Sequence, residues 1–421
     1  MQVFKFGGAS VNSLDRIKSL VPIFKEYAGQ PLLVVISAMG KTTNALEKVA
    51  ECFYRKEKDQ ALLLFDQIKQ NHLQTAKTLL EKDYLSCEER LANFFTEVEW
   101  LLHDQPVQSY DYYYDQIVCI GELLSTSIVS AFLNESGIKN EWLDVRDIIR
   151  TDDNFRDANI DWEFTANRVT HLVKPLLATN GIVITQGFIG STDENESTTL
   201  GREGSDYSAA VFANLLDAEK QTIWKDVAGV MNADPKFFPN AQLISTLNYT
   251  EVIEMAYYGA QVIHPKTIKP LQNKSIPLHV KCFLDISLPG TLIHNQSVKD
   301  LPPIIVWKQN QVLLQLKSKD FSFVGEKPIA DLYQIFALHS IRPNMTQNGA
   351  ISFTCVLDEN PEKMDQLAFE ASQIFEVIIE KGLSLLTIRH YVPELLDQLI
   401  SGNEWILKQE TRETVQALIR R

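Results

Sequence analysis

An α/β fold with a mainly parallel sheet, followed by a smaller α+β region, is the class this sequence predicts. Three observations point to it. A strand, helix, strand pattern occupies residues 2–36. Short apolar runs return at 181–190 and 222–230, on either side of a helix-like segment at 205–218. After a polar stretch with two prolines near 295–304, the pattern changes to strand, helix, two strands, helix, strand.

The elements follow in order. Residues 2–6 read as a short buried strand that ends on Gly7-Gly8. Asn12 or Ser13 is placed to cap one helix running to about Tyr27, because Leu14, Ile17, Leu20, Val21 and Phe24 recur at helical spacing. Pro31 then opens the apolar run LLVVIS, as expected for a parallel strand covered on both faces. Strand, helix and strand together make a βαβ unit. Residues 44–135 are rich in Leu, Glu, Lys and Gln with a single proline, Pro106, and predict a mostly helical insertion. Helices are predicted again at 249–258 and 265–273, then a strand at 276–283. Beyond residue 305 come VLLQLKSK (strand), IADLYQIFALHS (helix), two strands around Asn348-Gly349 and PEKMDQLAFEAS (helix). FEVIIE and LSLLTIRHY follow as two strands, then VPELLDQLI (helix) and two weak strands. That is βαββαβ followed by a shortened second copy.

Composition bounds the function. The 421 residues suggest two or three domains at about 150 residues each. A net charge of −14 argues against general nucleic-acid binding, which needs concentrated Lys and Arg. Apolar content of 45% and charged content of 22% are ordinary for a globular chain. The longest apolar run, Leu32–Met39, is far shorter than the roughly 20 residues that span a bilayer. The chain opens on VFKF, so no signal peptide and no membrane segment are expected. Five scattered cysteines (Cys52, Cys87, Cys119, Cys282, Cys355) form no C-x-x-C pair, which fits a reducing cytoplasm and offers no zinc site. No protein side chains are assigned to a metal.

Five motifs can carry chemistry. In Lys5-Phe-Gly7-Gly8-Ala-Ser10, a strand lysine faces a double-glycine turn whose N–H groups can approach phosphate oxygens; the alternative is an edge-strand lysine before an ordinary turn. Thr198–Asp206 runs from a glycine-rich loop into a helix whose N-terminus suits an anion and which Ser205 or Asp206 can cap. Ser37–Asn44 follows the second strand. Its Gly-Lys-Thr is not a P-loop, because Val35 stands where the first glycine is needed. Gly121-Glu122 lies near the end of the helical insertion, and a lone Glu is more often a surface residue. Trp224–Lys236 is a strand ending in charges and a glycine turn.

In chain order KFGGAS, SAMGKTTN, GE, ITQGFIGS, TTLGREGSDYSAA, WKDVAGVMNADPK and YYGAQVIHPKT resemble the ordered motifs of the aspartate kinases, monofunctional members of the amino acid kinase superfamily. The resemblance implies an α/β/α sandwich with a mainly parallel sheet over residues 1–298. Over 305–421 it implies a regulatory region of ACT type, one complete domain and a shortened second copy. It implies transfer of a phosphoryl group from MgATP to the side-chain carboxylate of L-aspartate, the first step toward lysine, threonine and methionine. Lys5, Gly8 and Asp206 match catalytic positions. Thr43, Glu122, Phe188, Arg202 and Ser205 match the aspartate pocket, with Arg202 on the α-carboxylate and Glu122 on the α-amino group. Lys5, Gly7, Gly8, Ser37, Lys225, Asp226, Met231, Lys236, Gln261 and Val262 match nucleotide contacts. Gln261 stands where relatives carry Lys, and Lys225 where they carry Thr or Ser, so Lys225 is expected to restore the missing charge. Glu203 occupies a common glycine position. Asn344, Gln347 and Asn348 fall at the effector loop, with lysine or threonine as effector, and the ACT sheets imply a homodimer. The competing readings are another amino acid kinase and a catalytically silent amino-acid sensor.

Overall fold

The computed structural model describes residues 1–179, 181–402 and 404–420. The chain divides into two units. The first comprises Met1–Val230, Leu243–Ile253 and Val262–Val298; the second comprises Met231–Gln242, Glu254–Gln261 and Lys299–Arg421.

The first unit is built on β1 (Gln2–Phe6), β2 (Leu32–Ile36), β3 (Asn140–Trp142), β4 (Ile182–Gln186), β5 (Ile189–Ser191), β6 (Ser197–Thr199), β7 (Lys220–Lys225), β8 (Thr246–Asn248), β9 (Leu278–Cys282) and β10 (Thr291–His294). Eight of these form one sheet in the order β3-β4-β2-β1-β7-β9-β10-β8, while β5 and β6 pair as a separate hairpin. Every pairing in the large sheet is parallel except β9 with β10. The strands β2 and β4 are buried along their whole length, as a sheet covered on both faces requires. The sheet grows outward from β1 in both directions. Chain connections therefore part at the carboxyl end of β1 and leave a crevice there.

Aromatic packing fixes that central strand. Phe6 stacks on Trp224 of β7 with ring centroids 5.9 Å apart and an interplanar angle of 5°, and Phe4 meets the same indole edge-on at 5.5 Å. The predicted insertion forms five helices, Thr42–Tyr54, Lys58–Leu79, Tyr84–His103, Tyr110–Val118 and Ile120–Glu135. The stretch Tyr110–Glu135 is long and apolar enough to cross a membrane, but 83% of its apolar window is buried inside the protein, as in a core helix.

Three local expectations are corrected. The single helix after Ser13 is two, Leu14–Lys18 and Leu20–Glu26, because the Pro22 ring excludes the carbonyl of Lys18 and offers no N–H to it. Ser13 does cap the first, accepting from the Arg16 N–H. The strand-like run 181–190 breaks at Gly187-Phe188, where a side chain on Gly187 would lie 2.6 Å from Ser205 Cβ and Phe188 takes φ 71°. The run 222–230 leaves the sheet after Lys225 and turns at Gly229.

The second unit holds β11 (Ile304–Ser318), β12 (Met345–Asn348), β13 (Ser352–Asp358), β14 (Phe375–Arg389), β15 (Glu404–Glu410) and β16 (Thr414–Arg420) in one antiparallel sheet ordered β12-β13-β11-β14-β16-β15. FEVIIE and LSLLTIRHY are one strand, not two. Gly382, in the gap left between the two predicted strands, sits at φ 74° in a bulge of β14, and Asn310, at φ 54°, sits in a bulge of β11. The two extra residues compensate, so both fifteen-residue strands stay paired. Residues 311–317 of β11 pair with β13, whereas 304–308 lie beside the half of β14 that pairs with β16. The shortened second copy thus takes a strand from before the first copy. The helices Glu326–Leu338 and Pro361–Ala371 pack on Val312, Leu314, Leu316, Phe353, Cys355 and Leu357, and Pro393–Ile400 packs on Leu386, Ile388, Val415, Ala417 and Ile419.

Replacing Trp224 with Ala is expected to cost the first unit about 3–5 kcal/mol, seen in urea as an earlier loss of its unfolding transition.

Candidate active site at the carboxyl ends of the parallel strands

A cavity of about 560 Å³ opens where β1, β2, β4 and β7 end. Lys5 projects into it from β1, flanked in register by Val35 of β2 and Ile223 of β7. Its ammonium lies 2.6 Å from Asp206 Oδ1; both side chains are nearly buried, and the contact is an ion pair rather than an aligned hydrogen bond. Opposite charges this close and this dry constrain each other's position strongly, because little water screens them.

Gly8 closes the turn after β1. A Cβ there would sit 2.7 Å from the Ala38 carbonyl and 3.1 Å from that of Gly40, and the Gly40 N–H donates to the Gly8 carbonyl at 3.0 Å. Only glycine lets the loops after β1 and β2 approach so closely. Ser37, Ala38 and Thr43 continue this wall.

Glu122 reaches the cavity from the first turn of helix Ile120–Glu135. It is 2% exposed, accepts from the Ala38 N–H at 3.2 Å through Oε1, and has no hydrogen-bond partner for Oε2. Burial pushes its carboxyl up to about 8, against the opposing pull of the Ala38 N–H and the Lys5 charge.

The opposite wall is the loop Thr199–Ser205 and the start of helix Gly204–Leu215. The predicted cap is corrected. Glu203 is the N-cap, in the left-handed region at φ 55° and without a side-chain cap bond. Ser205 and Asp206 already lie inside the helix, and Asp206 faces Lys5. The Glu203 carboxylate accepts from the His264 N–H at 2.9 Å, so this negative group is spent on anchoring the loop. Lys266 holds the same loop by donating to the Leu200 carbonyl at 3.0 Å and to Asp157 at 2.8 Å. Phe188 lines the cavity, and its N–H donates to Ser208 Oγ at 2.9 Å. Lys225, at the end of β7, donates to the Val262 carbonyl at 2.8 Å. Four cationic side chains therefore line the cavity, Lys5, Arg156, Arg202 and Lys225, in a chain whose net charge is −14. Arg202 is exposed and has no ion-pair partner among the described residues.

The amino acid kinase family model matches residues 1–282. Lysine-sensitive aspartokinase 3 of Escherichia coli is 32% identical over 396 residues, covering 92% of this chain and 86% of that protein. The chain belongs to the amino acid kinase family, among its aspartokinases. A chloroplastic aspartokinase 2 of Arabidopsis thaliana is 31% identical over 413 residues, 92% of this chain and 73% of that one. The crystal structure of E. coli aspartokinase III with lysine and aspartate superposes with a TM-score of 0.83 at 28% identity, over 99% of this chain and 95% of that one. Its complex with aspartate and ADP gives 0.81 at the same identity, over 100% and 96%.

Ten residues singled out from sequence line the cavity: Lys5, Gly8, Ser37, Thr43, Glu122, Phe188, Arg202, Ser205, Asp206 and Lys225. Gly7, Asp226 and Val262 lie in the first unit but not on the lining; Asp226 faces Arg16 at 3.5 Å. Met231, Lys236 and Gln261 belong to the second unit, as do Asn344, Gln347 and Asn348 on β12 or its approach. Thr199 and Gly201, from the Thr198–Asp206 motif but given no individual role, also line the cavity, as do Tyr114 and Arg156, which were not anticipated. Arg156 sits at φ 70° with its guanidinium 4.4 Å from the Tyr114 ring centroid, a contact between distant segments that no local spacing reveals.

Gly8→Ala is expected to lower turnover of aspartate with ATP at least about tenfold while the protein keeps its circular dichroism spectrum.

Proposed function

We propose that ATP and L-aspartate meet in this cavity, and that Lys5, Asp206, Glu122 and Arg202 carry the reaction. The observation that supports this most directly is one cavity holding four cations together with a buried carboxyl that has a free oxygen. The nucleophile is the aspartate side-chain carboxylate, already ionised at neutral pH, so no general base is needed. A carboxylate oxygen forms a bond to the γ-phosphorus as the bond to the bridging oxygen breaks, and ADP leaves with that electron pair. The barrier is the mutual repulsion of two anions, and the residues lower it by alignment and positive charge. Lys5 places its ammonium on the transferring group, with Asp206 fixing its position. Gly8 and the start of helix Gly204–Leu215 offer backbone N–H groups. Arg202 grips the α-carboxylate with its planar fork. Glu122 takes the α-ammonium, while Thr43, Phe188 and Ser205 shape the pocket. Lys225 supplies positive charge on the nucleotide side. ATP enters as its magnesium complex, the ion held by phosphate oxygens and water.

The six-stranded unit is read as the ACT regulatory region, sensing lysine or threonine and joining two copies of the chain into a cytoplasmic homodimer. Asn344 is embedded there in a polar network. Its carbonyl oxygen accepts from Lys308 at 2.8 Å, and its amide donates to Gln311 at 2.8 Å and to Asp358 at 3.0 Å.

Lys5→Met is expected to reduce aspartyl phosphate formation, trapped as the hydroxamate, by about two orders of magnitude or more. Arg202→Ala is expected to raise the KM for aspartate at least about tenfold with less effect on kcat. Normal aspartate saturation in that variant removes Arg202 from the pocket.

Glu122 gives a pH signature. Below about 8 its carboxyl in the free cavity is mainly neutral, and pairing with the α-ammonium favours the charged form. Aspartate binding at pH 7 is therefore expected to release about one proton, fading above pH 8 where the group is already ionised. Calorimetry in buffers of different ionisation enthalpy measures this, and Glu122→Gln should abolish the release.

A further inference from the structure

Asp115 lies on helix Tyr110–Val118 and is wholly buried. It makes no contact with the cavity, yet it accepts three hydrogen bonds from two segments that do. Oδ2 accepts from the Arg156 N–H at 3.0 Å and from the Thr199 N–H at 2.8 Å, and Oδ1 accepts from the Thr199 hydroxyl at 2.7 Å. The two segments are also joined directly. The Ala158 N–H donates to the Thr199 carbonyl at 3.0 Å, and a side chain on Gly201 would lie 2.6 Å from Asp157 Oδ1. The neighbour of Asp115, Tyr114, supports the Arg156 guanidinium through its ring face. Seven positions further along nearly continuous helix comes Glu122.

We propose that Asp115 is a positioning residue for the aspartate end of the cavity: it sets the backbone of the Arg156 turn and of the Thr199–Arg202 loop against helix Tyr110–Val118, which leads directly into the helix that carries Glu122. Groups for the α-carboxylate and the α-ammonium then stand at a fixed separation, although they come from three segments distant in sequence. This rests on the reading of the cavity as an aspartate site. Geometry rather than charge is what the arrangement uses. An asparagine at 115 keeps one carbonyl oxygen for the two N–H donors and can donate its amide to the Thr199 hydroxyl, which is able to accept. Alanine leaves two buried N–H groups without a partner.

The test compares Asp115→Ala, Asp115→Asn and Asp115→Glu in the full chain. Asp115→Ala is expected to raise the aspartate KM at least about tenfold, with the ATP KM changed by less than about twofold. Asp115→Asn should return the aspartate KM to within about threefold of wild type, and Asp115→Glu, which keeps the charge but moves it by a methylene, should be worse than Asn. Amide exchange gives a readout that needs no turnover. Exchange over residues 154–160 and 197–203 should quicken in the Ala and Glu variants and stay slow in the Asn variant. If the Ala variant does not fold, the order of Asn and Glu decides. Unchanged exchange, aspartate and ATP KM values that rise together, or an Asn variant as impaired as Glu overturns the proposal. Absence of aspartate phosphorylation by the wild type overturns the aspartate reading instead, and the exchange data still decide whether Asp115 holds the two segments.

Discussion

The ion pair between Lys5 and Asp206 ties the central strand of the parallel sheet to helix Gly204–Leu215 at the point where the chain connections part. Lys5 comes from the central strand and Asp206 from the helix that follows the β5–β6 hairpin, so the contact exists only if β1, β4 and that helix are all in place. Neither partner is stable there alone, since a lone charge so poorly hydrated is costly. The pair also settles orientation. A lysine held by one carboxylate presents its remaining donors in a restricted direction, into the space bounded by the loops of β1 and β2. Glycines at 8 and 187 let those loops and the helix close to a separation that a single added carbon would prevent.

The electrostatics of the cavity follow from what surrounds each charge. Glu203 stands in a loop that lines the cavity, but its carboxylate is occupied by a backbone N–H of the His264 segment, and it acts as a tether. Glu122 has the opposite arrangement, with one oxygen anchored and the other free in a dry setting, so its charge state answers to whatever cation arrives. Two carboxylic acids in one cavity thus take different parts because of their environments.

Much of this was legible in the sequence, for physical reasons. Short continuous apolar runs located β1 and β2, because strands covered on both faces are apolar throughout, and a composition rich in Leu, Glu, Lys and Gln located the helical insertion. Of the ten cavity residues, Lys5 and Gly8 were legible because close approach to an anion demands a cation and a glycine at the end of a strand, and Thr43, Glu122, Phe188 and Arg202 only through the resemblance to the aspartate kinases. What escaped was set by conformation rather than composition. Arg156 takes a left-handed backbone that its residue type does not advertise, and its guanidinium is supported by a tyrosine ring from another segment. β14 was split in two because the break between FEVIIE and LSLLTIRHY is a bulge at Gly382, and only the compensating Asn310 on the opposite strand reveals that pairing continues. The helix broken by Pro22 was misread because apolar spacing alone ignores the missing N–H.

Those paired bulges bear on how the second unit may be cut from its surroundings. The first five residues of β11 cover the flank of β14 that would otherwise be an open edge, with unsatisfied backbone groups along it. A fragment beginning at Gln311 would keep the first βαββαβ copy whole and expose that edge of β14 on the side away from β16. Any attempt to isolate or graft this six-stranded piece must therefore start upstream of Ile304, or it yields a sheet that recruits strangers along its own bare margin.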